Sequence, residues 1–94
     1  MLKHPKVGDV VVFHDSKGTP INALVTCYFG NPEFEQMGCA NLVWVSTDEN
    51  RQDSCGRQTE KNTSIVHKSY NPAHGNYWRW PEEEPNPYMA PSSV

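Results

Sequence analysis

Along the first third of the chain, apolar and polar positions follow the period of two that a half-buried strand requires. Val7-Gly8-Asp9-Val10-Val11-Val12-Phe13-His14 is dense in β-branched and aromatic residues and runs into Asp15-Ser16-Lys17-Gly18. That tetrad predicts a turn, with Gly18 where a positive φ is needed, so the opening reads strand, turn, strand. In the second strand Ile21, Ala23, Val25, Cys27 and Phe29 share one face, while Asn22, Thr26 and Tyr28 take the other; Leu24 is the exception. Gly30-Asn31-Pro32 ends it, and the stretch to Gly38 predicts a loop. Leu42-Val43-Trp44-Val45-Ser46 is apolar on both faces, which predicts a central strand or an interface on its second side.

Residues 47–62 hold almost no aliphatic side chain and predict a long polar loop, part of which, 57–60, extends as an edge strand whose charges discourage pairing. Ser64-Ile65-Val66-His67 and Tyr77-Trp78-Arg79-Trp80 supply two further strands, separated by the breaker Asn71-Pro72-Ala73-His74-Gly75. Pro81, Pro85, Pro87 and Pro91 with three consecutive glutamates describe an extended tail. Helical periodicity and internal repeats are absent from the sequence. The pattern therefore predicts an all-β fold, a small antiparallel barrel or rolled sheet of about five strands with a long polar loop and an extended Pro-rich C-terminal tail. Its expected boundaries are a domain over 1–81 and an acidic tail over 82–94.

Ninety-four residues make one domain with a modest core, for which oligomerisation would supply further burial. The net charge of −3 is a property of the tail: Glu82, Glu83 and Glu84 account for it. Between Arg51 and Trp80 five bases (Arg51, Arg57, Lys61, Lys68, Arg79) face two acids (Asp53, Glu60), a local balance of 5 − 2 = +3. An anion would feel that segment, yet it is far less basic than duplex-DNA binding demands. No apolar run is long enough for a membrane span, and residues 1–5 lack the apolar stretch of a secretory signal, so a soluble, intracellular protein is expected.

The first hairpin, with its Gly8-Asp9 entry, valine-rich strand, Gly18 turn and apolar return, resembles the opening of small barrels of the Src-homology-3 type. Through Val7 to Val25, Leu42-Val43-Trp44-Val45-Ser46 with Asp48-Glu49, and His74-Gly75-Asn76-Tyr77-Trp78-Arg79, the chain is similar to short proteins encoded by tailed bacteriophages. That resemblance implies a viral protein working in the host cytoplasm or in the virion. Such folds serve phages both as virion parts and as inhibitors that bind host signalling nucleotides.

Candidate chemistry is sparse. Cys27, Cys39 and Cys55 form no C-x-x-C pair and read as reduced thiols, and the four histidines lack the paired spacing of a zinc site. Cys55 beside Arg57 has no spaced base, the glutamates of the tail lack a fixed separation, and the glycines are scattered singly. No catalytic residue, metal or cofactor is therefore expected. Alternation puts Trp78 and Trp80 on one face of the last strand and Tyr77 with Arg79 on the other, one pair inward; packing of the tryptophans on Val10, Val12 and Val25 is the structural reading. The functional reading makes Arg57, Lys68, His74, Tyr77 and Arg79 a rim where a ring stacks on a base and cations meet phosphate.

These features favour a non-enzymatic phage protein that sequesters a small anionic, nucleotide-like ligand as a counter-defence, in pockets between protomers of a homo-oligomer. The alternative is a virion structural or protein-interaction module, a capsid or tail adaptor, since Trp, Tyr and Arg also dominate protein interfaces.

Overall fold

A computed structural model describes residues 3–70 and 75–87. Among the described residues there are seven strands: β1 (Val10–His14), β2 (Pro20–Phe29), β3 (Cys39–Val45), β4 (Gln52–Asp53), β5 (Gly56–Arg57), β6 (Thr59–His67) and β7 (Tyr77–Arg79), with one 3-10 turn at Lys68–Tyr70. Five of them close a barrel in the order β1-β2-β3-β6-β7, and β4-β5 is a small separate hairpin. The small all-β barrel expected from the alternation is the observed fold. Every seam is antiparallel except β6–β7, where Val66 and His67 run parallel to Tyr77 and Trp78.

The first turn forms as its residues dictate. Gly18 takes φ +83°, and the Asp15 carboxylate accepts the N–H groups of Lys17 and Thr19, each at 2.9 Å. Residues 7–9 are not strand: Gly8 turns with φ +95° and β1 begins at Val10. Inward residues are Val11 and Phe13, so Val10 points out and is half-exposed. The tryptophan pair does face the core, on Val11, Phe13, Val25 and Leu42, and not on Val10 and Val12 as alternation suggested.

Two bulges reset the alternation. A register shift between Val25 and Cys27 inserts Thr26 as an extra residue, so the faces of β2 exchange beyond it. Phe29, expected inside, is exposed; Tyr28, expected outside, packs against the core and its hydroxyl accepts the Gly38 N–H at 2.8 Å. The second shift lies between Ala40 and Leu42 against β6, where Ser64 adopts φ +57° and its N–H reaches the Asn41 side chain at 3.0 Å.

The polar run is the largest correction. Residues 47–62 are not one loop: Gln52–Asp53 and Gly56–Arg57 form a hairpin, and from Thr59 the chain is already β6, paired with β3 from Val45↔Thr59 to Ala40↔Ile65. A strand facing solvent on its outer side needs no aliphatic residues there, and partnership with β3 supplies what its own composition does not. The edge-strand expectation holds in part, because this half of β6 has β3 on one side and no strand on the other among the described residues.

Candidate functional site

Two regions of the outer surface stand out, one covered by the chain itself and one bare. The covered region lies over β7. After Trp80 the chain turns, with the Glu83 N–H donating to the Trp80 carbonyl at 3.0 Å, and residues 81–87 form a strap. Glu83 Oε1 accepts both the Trp80 N–H at 2.7 Å and His67 Nε2–H at 2.8 Å. Arg79 donates from Nη1 to the Glu83 carbonyl at 2.8 Å and reaches the Trp80 and Pro81 carbonyls at 3.3 Å. Lys68 Nζ donates to the Glu84 carbonyl, and Asn86 bonds the Tyr77 hydroxyl through its N–H and the Lys68 carbonyl through its side chain. The glutamates of the tail are thus not all unanchored.

The groups beneath the strap are set by their own partners. His14 Nδ1–H donates to the Gly18 carbonyl at 3.0 Å, which leaves Nε2 to accept Arg79 Nε–H at 3.0 Å, and the imidazole stacks on Tyr77 at 4.6 Å. His67 Nδ1 accepts the Ser69 N–H at 3.2 Å, which fixes Nε2–H toward Glu83. Burial would raise the Glu83 pKa, but the His67 and Trp80 hydrogen bonds and the charges of His67 and Lys68 outweigh it and hold the carboxyl below the ordinary glutamate value. Glu83, His67 and the Ser69 hydroxyl, 2.9 Å from Nδ1, follow the order of a hydrolytic relay. The Ser69 N–H occupies the same Nδ1 lone pair, so the arrangement orients the ring between the 3-10 turn and the strap.

Of the five residues expected to bind a ligand, the barrel brings three together. Lys68, Tyr77 and Arg79 all meet the strap. Tyr77 is 3% exposed, not a rim residue offering a ring for stacking, because His14 and the strap cover it. Arg57 lies elsewhere: its guanidinium donates to the Ser46 carbonyl at 2.8 Å, just beyond the end of β3 that pairs with the start of β6. Lys68 follows the opposite end of β6, and nine residues of strand span about 25 Å. His74 is outside the described residues, as are Tyr88 and Met89 of the tail.

The bare region lies over β1, β2 and β3. Val10 opposes Leu24, Leu24 opposes Val43, and Val43 opposes Lys61, so these side chains form one row on the outer face. Val10 is 51%, Leu24 46% and neighbouring Val45 58% exposed. They line a shallow groove of about 220 Å³, with Asn22 and Thr59 as its polar members. The sequence carried its signal: Leu24 was the exception to alternation, and the third strand was apolar on both faces. A second hollow, of about 320 Å³, opens beside His67 between Met37 and Tyr70.

Among the described residues no group of three or more histidine, cysteine or acidic side chains is placed to hold a metal ion, and no helix is long and apolar enough to cross a membrane. No family model, curated protein or solved structure matches the chain.

Proposed function

We propose that the protein is an interaction module that assembles with a second copy of itself through the outer face of β1, β2 and β3, the role a virion structural or adaptor protein of a tailed bacteriophage would have. The observation that carries this reading is the continuous aliphatic row Val10, Leu24, Val43, with Val45 beside it, left bare while the strap covers the surface around Tyr77 and His67. Exposed aliphatic side chains gathered on one face mark a docking surface more than scattered ones do. Self-complementarity favours a second copy. The row ends in Lys61 on one side and in Val10 on the other. A two-fold axis parallel to the strands reverses the row, bringing each Lys61 to the Val10 end of the other copy and aliphatic groups together at the centre. A stable interface needs roughly 800 Å² per copy, so polar neighbours such as Asn22 and Thr59 belong to the proposed contact as well.

The nucleotide-sequestering reading has less support, since Lys68 and Arg79 already bond the strap and Arg57 lies at the far end of β6. Light scattering at micromolar concentration tests the proposal. A mass that is a multiple of 10.7 kDa is expected for the native chain, and Leu24→Arg should return it to about one chain while its circular dichroism is unchanged. A native mass of one chain would overturn the reading.

A further inference from the structure

The strap is read by the barrel in a manner that is largely independent of its own sequence. Arg79 and Lys68 contact main-chain carbonyls of Pro81, Glu83 and Glu84, which any extended segment would present. Among the described residues, strap side chains are read at two positions: Glu83, by His67 and the Trp80 N–H, and Asn86, by the Lys68 carbonyl. No residue of the strap is itself buried, although it covers Tyr77 and His67, which are. A segment held by polar bonds at a half-exposed surface, without apolar burial of its own, opens more readily than the barrel strands beneath it.

We propose that the surface formed by His67, Lys68, Tyr77 and Arg79 is a recognition site for an extended peptide of a partner protein with the pattern Glu-x-x-Asn, and that residues 81–86 occupy it in cis as a competitor. The spacing is that of the strap, with Asn86 three residues after Glu83. Glutamate is selected because two donors converge on one carboxylate oxygen, and a neutral or basic side chain would leave both unsatisfied. Tethering explains why the site is closed at rest: a segment joined directly to Trp80 has an effective concentration in the millimolar range, which a free peptide must exceed. This site is separate from the aliphatic face, and its occupancy is measured independently of oligomeric mass.

The test uses the full chain carrying Glu83→Ala and Asn86→Ala, which removes both side-chain anchors of the strap, and a fluorescent peptide of residues 81–87. The peptide should bind the double variant at least tenfold more tightly than the native protein. Adding Lys68→Ala should weaken that binding at least threefold, and a peptide with alanine at the glutamate position should not bind. Equal binding to both proteins, or none to a double variant that keeps its circular dichroism, overturns the proposal. Should the double variant unfold, Asn86→Ala alone, which leaves His67 partnered, is judged by the same criterion.

Discussion

Gly75 shows how one residue couples two elements that lie far apart in sequence. It sits at φ +96°, and a Cβ there would collide with the Asp15 carbonyl in the first hairpin turn. Gly8 has nearly the same φ, +95°, with open space around it. Alanine at position 8 should therefore incur only the backbone penalty of about 1 kcal/mol, whereas Gly75→Ala adds a steric clash with main chain and should cost at least about 2 kcal/mol more. In a domain of this size that difference corresponds to roughly 10 °C in thermal melts of the two variants. Equal melting temperatures would show that the turn yields freely. The sequence reading placed Gly8 in the first strand and Gly75 in a breaker, and it could not rank their tolerance of a side chain, because the difference lies in a contact across sixty residues.

Among the elements, the strap has a distinct dependence on pH. The Glu83 carboxyl is held below its ordinary value in the folded chain, so ionised Glu83 stabilises the fold. Its contribution is complete above the ordinary glutamate value, declines as pH falls from there through the lower folded value, and is absent below that. The charged and titratable groups that face it are His67 and Lys68, with Arg79 bonded to its carbonyl. Melting temperatures between about pH 6 and pH 3 should fall less steeply for Glu83→Gln than for the native chain, and parallel curves would exclude the latch. Strand phase was misread in β1, where Val11 and Phe13 turn inward in place of Val10 and Val12, and was legible in β2 only as far as Val25. Beyond Thr26 the bulge exchanged Tyr28 and Phe29, and a bulge has no signature in a pattern of single-residue hydrophobicity.

At the scale of the whole molecule, association through an aliphatic face and binding of an anion respond oppositely to salt. Apolar burial is not screened, whereas contacts between exposed charges are. The assembled mass should therefore persist between about 0.1 and 1 M salt, and its loss would point to an interface built on charge. Removing residues 86–94 takes away both Asn86 bonds, to the Tyr77 hydroxyl and the Lys68 carbonyl. At about 0.5 to 1.5 kcal/mol each, the truncated chain should melt roughly 5 to 15 °C lower. An unchanged transition would mean that the strap closes without Asn86.

What the sequence determined by itself was the class of fold and a third strand apolar on both sides, read as either central or facing an interface: local alternation, turn residues and the two-sided strand at 42–46 are properties of neighbouring residues. The identity of the site was decided by tertiary structure. Lys68, Tyr77 and Arg79 were visible as cations and an aromatic ring, but the group that meets them is Glu83 of the same chain, brought back by the turn after Trp80. Arg57 belonged to the same basic segment and is carried about 25 Å away by the length of β6. Charge counted along a chain ignores where strands begin and end. Polar residues 59–64 became strand because β3 paired with them, a long-range partnership that their own composition could not announce.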